Sequence, residues 1–500
     1  MQRERIRVAL LYRGPQHEGR DDFSSFVPIG LFNVLKSLRD AGYDASLHNL
    51  SATPRADLAG AIQDTGANAF LISAFFGCHH EAFTLARVVK KQPGAMVVMG
   101  GPLTVLGSAI LEEVEEIDFL IRGEGEKAAV ALLDAFFLGN GPISGVQGAI
   151  FRTSAGIRAI PPRLLADIDR CFFLPSEVMG HCHGVQPENF AILISSRGCP
   201  YRCAFCSSTA LWQNRVRHHG VDLLLSYLVD LRAATGAIYF SLRDENFLVN
   251  QTHVREFTAA LRQSGLHYLW NAQGSPHLLD DDLARTLAEA GCDQLQMGIE
   301  AIPPRLAEML NKQGSPARTA KAISTLRRHA IRPFGYFIYG MDETEAEGAE
   351  TLDFIRHSGL LDAVASPLVL YPGTALAQKV EVQCFFAKGE VLFYSPASAR
   401  KWKKKYRQAL AGLHDREGFQ REEVAPGERP HLVRTVARHF QLLEHGDLAG
   451  AEKILLTLTA KEPDNPWGFE LLSRLYEELG DKRKVAAMRR QLRLLTGLSA

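Results

Sequence analysis

The stretch SSRGCPYRCAFCSS, residues 195–208, sets Cys199, Cys203 and Cys206 within eight residues of one another. Thiolates hold zinc, iron–sulfur clusters or one another, and spacing separates these options. A structural zinc site asks for a fourth Cys or His at similarly short range. Here His218 and His219 come twelve residues on, beyond a predicted helix. The HCHG stretch at 181–184 offers metal-type side chains too, but it sits in irregular text and reads as loop. A four-iron cluster held by three thiolates keeps one iron without a protein ligand, open to substrate or cofactor. Three sulfurs and a vacant fourth position is the pattern this loop spells.

Outward from the loop, the chain is organised by alternation. AILISS leads into the cysteines; then come a helix near 221–234, AIYFSL, a helix near 252–264, YLWNAQG, a helix near 280–290, QLQMGIEA, a helix near 318–329, PFGYFIYGM, a helix near 345–357 and VASPLVLYPG. About six strand–helix units are too few for a closed eight-stranded barrel and enough for a partial (β/α)6 barrel over 190–385, with its active face at the carboxyl ends of the strands. Residues 6–140 alternate in the same way (RVALLY, DASLHNL, NAFLISAFF, MVVMGG, IDFLIRG), which predicts a doubly wound, Rossmann-like parallel sheet over 1–145. Such sheets bind ligands beyond the carboxyl ends of their strands, where this sequence has Ser73, Ala74, Phe75, Gly100, Gly101, Gly123 and Glu124. Residues 146–189, with Pro161, Pro162, Pro175 and Pro187, read as a linker.

Beyond 385 the text turns polar and helical. Residues 386–430 are expected to form a helical connector, whose basic run Lys401 to Arg407 reads as a solvated helix face or as a contact for an anionic substrate or carrier. Over 431–500, GDLAGAEKILLTL starts at Gly446 and GDKRKVAAMRRQL at Gly480, a shift of 34 residues that resembles all-α tetratricopeptide repeats. Fewer than three repeats do not stand alone. Two uses remain open: a groove for a protein partner, or a helical cap over the barrel.

Composition narrows the class. The 500 residues are 46% hydrophobic, enough for two or three cores, and Lys+Arg equals Asp+Glu at 56 each, so bulk charge points to neither nucleic acid nor an acidic membrane surface. Eight cysteines are too sparse for a disulfide framework, and the clustering of three suits a reducing compartment, the cytoplasm. MQRERIRVALLY reads as a first strand rather than a signal peptide, and no run approaches the ~18 apolar residues of a membrane span.

The motif CxxxCxxC directly after a first strand, with Phe205 beside the last cysteine, resembles the radical S-adenosylmethionine superfamily. The resemblance implies that Cys199, Cys203 and Cys206 carry a 4Fe-4S cluster whose open iron chelates S-adenosylmethionine, and that an electron from a flavodoxin or ferredoxin releases a 5′-deoxyadenosyl radical. It extends over about residues 190–375 through GIEA at 298–301, GYFIYGM at 335–341 and YPGT at 371–374. By analogy, Phe205 lies against adenine, Glu300 approaches the ribose or substrate, and Gly335 and Gly340 let the chain pass the adenosyl group. One departure stands out: relatives often read GxPGET after the fifth strand, where this chain has GMDET at 340–344.

With a doubly wound domain in front, the chain resembles the cobalamin-binding members, through PIGLFNVLKSLRDAGYDASLHNL at 28–50, GGP at 100–102 and DFLIRGEGE at 118–126. The histidine-bearing DxHxxG motif of some cobalamin domains is not in YRGPQHEGRDD, the text after the first strand, and many members of the subclass lack it. The resemblance implies C-methylation, or another radical modification, of a small or carrier-bound substrate. A cobalamin-independent radical enzyme (cyclisation or rearrangement), or an adaptor built on the repeats with a relic radical domain, are the alternatives. Methylthiotransfer would need a second set of three cysteines in the first domain, which has only Cys78 before residue 171.

Overall fold

The computed structural model describes residues 2–14, 26–237, 239–266, 268–329, 331–379, 392–414, 435, 439, 442–443, 446–461, 463 and 466–496. They fall into two compact units: residues 1–237 with 368–394, and residues 238–367 with 395–500.

In the first unit, short apolar runs become parallel strands: β1 (Arg7–Tyr12), β2 (Asp44–Asn49), β3 (Ala69–Ser73), β4 (Met96–Gly100) and β5 (Phe119–Ile121). Helices α1 (Ile29–Asp40), α2 (Leu58–Gln63), α3 (His79–Val89), α4 (Ser108–Glu113) and α5 (Gly125–Leu133) connect them. Strands β1, β3, β4 and β5, covered on both faces, bury nearly every residue, hence their unbroken apolar text, whereas β2 is only partly buried. Phe70, Ile72, Val97, Met99, Leu85 and Ile110 form part of one core. Residues 146–189, expected as a linker, instead extend this sheet. Hairpin β6 (Ala149–Thr153) and β7 (Gly156–Ala159) pairs antiparallel onto β5, and β8 (Cys182–His183) lies parallel to β2. The prolines stand outside these strands, so they punctuate the segment without preventing it from pairing. The order is β7-β6-β5-β4-β3-β1-β2-β8, which puts the topological switch between β1 and β3.

The unit continues through β9 (Ile192–Leu193), β10 (Ser196–Arg197) and β11 (Arg217–His218), with α6 (Pro175–Val178), α7 (Ser208–Trp212) and α8 (Val221–Thr235).

Two histidines make the first sheet acid-sensitive. His48 on β2 stacks on His183 of β8, and burial together with the His183 charge pushes it down to about 4. Burial and neighbouring His80 push His79, at the start of α3, down to about 4 as well. An unfolded imidazole titrates near 6.5. Between about pH 6.5 and 4 the unfolded chain therefore binds more protons than the native one, and stability falls as pH drops through that window while remaining full above it. The urea midpoint of the wild-type protein should fall between pH 7.5 and 5. The His48→Gln/His79→Gln variant should lose less over that interval, and equal losses would assign the effect to other groups.

In the second unit, β12 (Tyr239–Leu242), β13 (Leu269–Gly274), β14 (Cys292–Glu300), β15 (Arg332–Tyr339) and β16 (Asp362–Pro367) pair in parallel, each with the next. The intervening helices are α9 (Gln251–Gln263), α10 (Asp281–Glu289), α11 (Pro304–Met309), α12 (Pro316–Arg328) and α13 (Glu345–His357). Asn250, Asp280, Ser315 and Thr344 each accept a backbone N–H from the first turn of the helix they start, the expected N-cap chemistry.

Helices α14 (Pro396–His414), α15 (Leu448–Lys461), α16 (Pro466–Glu478) and α17 (Lys482–Thr496) complete it. Residues 415–430 of the expected connector lie outside the described residues. Each Gly-Asp pair precedes a helix, with Gly446 and Gly480 at φ +74° and +73°. Leu455, Leu458, Leu471, Leu472 and Tyr476 cluster with Leu269, the first residue of β13, and Trp467 abuts Gly291 just before β14. Helices α15 to α17 thus cover the amino ends of β13 and β14, as a cap would. Among the described residues no helix is long and apolar enough to cross a membrane.

Candidate active site

The cysteine loop belongs to the first unit. β10 and β11 pair antiparallel, Ser196 opposite His218 and Arg197 opposite Arg217, and close residues 198–216 like a clasp. Gly198 holds φ +101°, and a Cβ there would overlap the Arg215 carbonyl oxygen. Cys206 donates its N–H to the Cys203 carbonyl at 3.2 Å, closing a tight backbone turn between the two cysteines. Burial raises the Tyr201 hydroxyl, with Cys199 and Cys203 adding to the shift, and burial with Cys206 raises Tyr371. The 371–376 turn lies on the loop: Leu376 N–H donates to the Ala204 carbonyl at 3.0 Å, and a Cβ on Gly373 would come to 3.1 Å from Ala210. Phe205, half-buried, sits beside this anchored residue. No group of three His, Cys, Asp or Glu side chains suited to a single metal ion occurs among the described residues. A four-iron core takes one thiolate per iron, so it asks for sulfurs spread around it rather than converging, and all three cysteines are partly exposed and outside any disulfide. The loop fits a cluster.

The ends of β3 and β4 form the second feature. Ala74 donates to the Gly100 carbonyl at 2.9 Å and accepts from Leu103 at 3.1 Å. Gly101, at φ +90°, approaches so closely that a Cβ would meet the Ala74 oxygen at 2.7 Å and Ser73 Oγ at 2.9 Å. Ser73 and Ala74 are buried, whereas Phe75 is half-buried. The Phe76 ring packs edge-on against Tyr371 at 4.9 Å, linking this end of the sheet to the turn over the cysteine loop. At the foot of the switch, Arg13 donates Nε to Glu81 at 2.6 Å and NH1 to the carbonyls of Leu50 and Thr53, and Arg55 holds the other Glu81 oxygen. Small residues at the ends of β3 and β4, beside the braced β1/β3 switch, fit a broad, flat ring such as a corrin. Of YRGPQHEGRDD, residues 15–22 lie outside the described residues.

Gly123 (φ +92°) packs against Pro162, 3.1 Å from where a Cβ would stand. Glu124 is placed differently from its neighbours. Its side chain is 1% exposed, Oε1 pairs with Arg197 at 2.7 Å, and Oε2 takes Arg217 at 2.7 Å and the Leu165 N–H at 2.6 Å. Both oxygens are engaged by the protein itself.

In the second unit, β14 slips register between Gly298 and Glu300, and Glu300 adopts φ +66°. A Cβ on Gly298 would meet Glu300 Oε1 at 2.5 Å and Lys312 Nζ at 3.0 Å, so this glycine clears space for the ion pair that Glu300 makes with Lys312 at 3.4 Å. Burial raises the Glu300 carboxyl while Lys312 opposes it. The space beside Gly335 is filled by Phe337, Ile299 and Leu360, a packing requirement. GMDET keeps its turn without proline and glycine. Asp342 takes φ +57°, and Glu343 accepts the N–H groups of Gly340 at 2.7 Å and Met341 at 3.0 Å and the hydroxyl of Ser398 at 2.6 Å.

Sequence reasoning missed a polar network across these strands. Arg243 and Tyr336 both donate to Gln296 Oε1, at 2.6 and 2.9 Å; Gln296 donates to Gln294 at 2.8 Å; Ser241 donates to Asn271 at 2.6 Å. The signal was alternate polar residues, Gln294 and Gln296, inside a buried strand.

Residues 193–355 match the radical SAM superfamily, and residues 24–133 match the B12 binding domain. An uncharacterised methyltransferase of Pyrococcus horikoshii is 29% identical over 61% of this chain and 67% of its own. An anaerobic magnesium-protoporphyrin IX monomethyl ester cyclase of Synechocystis is 26% identical over 66% of each. These alignments span about two thirds of the relatives' length. In fold, the chain is similar to the radical S-adenosylmethionine methyltransferase TsrM of Kitasatospora setae, solved with cobalamin and a [4Fe-4S] cluster: TM-score 0.66 over 77% of this chain and 79% of that one, at 18% identity. The first match covers the three-cysteine loop and the second covers the small residues at the ends of β3 and β4. Their cofactors are a 4Fe-4S cluster with S-adenosylmethionine, and cobalamin. The chain carries a B12-binding domain over residues 24–133 and, behind it, a radical SAM domain over residues 193–355, the make-up of a cobalamin-type radical S-adenosylmethionine enzyme.

Proposed function

We propose that the protein transfers a methyl group to an unactivated carbon of a small or carrier-bound substrate. The observation that carries this reading is the union, in one compact unit, of the three-cysteine loop with the B12-binding sheet, tied through Phe76, Tyr371 and the 371–376 turn. When bound, the cofactors supply an adenosyl radical and a transferable methyl group. The chain's residues bind, orient and shield. Cys199, Cys203 and Cys206 hold the cluster, and Phe205 offers its ring to adenine. Ser73, Ala74, Phe75, Gly100, Gly101 and Gly123 line the corrin, while the engaged carboxylate of Glu124 suits it to holding the loop instead. Glu300, poised by Lys312, accepts a hydroxyl of the ribose or substrate. Gly335 and Gly340 keep the backbone near the adenosyl group. The Arg243–Gln296–Tyr336 network supplies donors for a polar substrate. A flavodoxin or ferredoxin gives the electron. The 34-residue shift supports tetratricopeptide-type units in the tail, and their packing on Leu269 and Gly291 favours use as a cap over a partner groove.

The test is anaerobic reconstitution of the full chain with iron, sulfide and hydroxocobalamin, followed by dithionite and S-adenosylmethionine carrying a deuterated methyl group. The expected result is retained cobalamin, release of 5′-deoxyadenosine, and a deuterated methyl group in a metabolite made only when this protein is present. A protein that stays colourless, or that releases no 5′-deoxyadenosine, sinks the enzyme reading. The cyclase among the relatives supports a second outcome, a product formed without label, which would replace methylation by cyclisation.

A further inference from the structure

Resting on the cluster reading above, we infer that Glu124 and Glu126 are positioning residues for the cysteine loop, clamping it through Arg197 and Arg217 and neutralising that buried arginine pair. Arg197 lies two residues before Cys199, and Arg217 stands directly opposite Arg197 in the β10–β11 clasp. Two like charges facing each other across a strand pair push it apart, and here both are largely withdrawn from water, with side chains 9% and 14% exposed. The clasp that closes the loop is therefore unstable on its own charges.

The start of α5 supplies the remedy. Glu124, its N-cap residue, spans the pair with one oxygen on each arginine, and Glu126 in the first turn takes the second arm of Arg197 at 2.7 Å. The side chains of Glu124 and Glu126 are only 1% and 4% exposed. Arg217 also donates to the Leu165 carbonyl at 2.8 Å, and its guanidinium lies 5.6 Å from the ring centre of Trp212 on α7, the helix that follows Cys206. Both limbs of the loop are thus pinned to the RGEGE segment, and two arginines balance two glutamates. Removing one member of a buried set leaves its partner's charge uncompensated. Beside a redox centre, that residual charge also acts on the potential: a reduced cluster carries one more negative charge than an oxidised one, so a residual positive charge favours reduction and a residual negative charge opposes it.

The experiment uses the full chain, reconstituted anaerobically, as wild type, Glu124→Gln, Arg217→Gln and the double variant, with iron content and the cluster potential read by electron paramagnetic resonance during a redox titration. Glu124→Gln should raise the potential and Arg217→Gln should lower it, each by about tenfold in the reduction equilibrium, or about 59 mV for one electron. The double variant, neutral again, should return close to wild type. Cobalamin binding should be kept by all four. Should Glu124→Gln fail to load iron, Glu126→Gln, which leaves both Glu124 contacts in place, is expected to give the same upward shift. Loaded variants with unchanged potentials, or shifts of the same sign in both single variants, overturn the inference. A wild-type protein that loads no iron overturns the cluster reading instead.

Discussion

Gly198→Ala is expected to leave the protein folded but to reduce its iron to roughly a tenth of the wild-type content or less, because cluster affinity is drawn from the folded loop. It should resemble Cys203→Ala even though all three thiols are still present. The cause is backbone geometry. Gly198 sits at φ +101°, a conformation that side chains rarely adopt, and a Cβ there would overlap the Arg215 carbonyl oxygen and come to 3.2 Å from Trp212 Cβ. Neither neighbour has room to give. Arg215 is tied by its N–H to the Trp212 carbonyl at 3.0 Å, and the clasp beyond it is locked in register. Relieving the overlap means opening the clasp, at a cost on the order of 4 kcal/mol, or about a thousandfold in the closed population. Gly236→Ala is the control. That glycine ends α8 at φ +69° with nothing within 4 Å, so alanine costs about 1 kcal/mol of strain and should leave iron intact. Normal iron loading by Gly198→Ala would show that the loop tolerates a different closure.

What the sequence disclosed was what local spacing controls. The cysteine triplet, the small residues at the ends of β3 and β4 and the strand–helix alternation are short-range signals, and the fold keeps them. What it concealed was long-range. Nothing near Glu124 announces Arg197 and Arg217, which come 73 and 93 residues later, so its conspicuous RGEGE setting reads as a ligand loop although its carboxylate is spent on protein partners. The hairpin β6–β7 was hidden by the prolines that follow it. GMDET lacks the proline–glycine pair of GxPGET, yet the Glu343 side chain supplies the backbone hydrogen bonds, with a partner, Ser398, 55 residues away. The Gln294 and Gln296 ladder escaped because a polar residue in a buried strand declares itself only once its partners across the sheet are known.

Gly348→Ala should destabilise the protein by about 3 kcal/mol, a result opposite in sign to helix propensity. Glycine inside a helix is normally worse than alanine by about 1 kcal/mol, so at an open position on α13 the change would stabilise. Here a Cβ would penetrate the six-membered ring of Trp402 on α14. That indole is 1% exposed, with the Tyr406 ring 6.5 Å away and the ammonium of Lys405 4.4 Å from its own ring centre, so it has nowhere to swing. Trp402→Leu alone should cost about 3 kcal/mol through the cavity it leaves. In the double variant the added methyl enters that cavity, and the combined loss, read from urea midpoints of the four proteins, should fall well short of the sum. Additive losses would mean that the two positions do not meet. The same helix carries Ser398, which hydrogen-bonds Glu343, and Ala399, which packs at 3.0 Å from the Cβ position of Gly340. A displaced α14 therefore releases the 340–344 turn at the carboxyl end of β15. Gly348→Ala should accordingly lower 5′-deoxyadenosine release even at temperatures where the protein remains folded, and Trp402→Leu in the same chain should restore part of it.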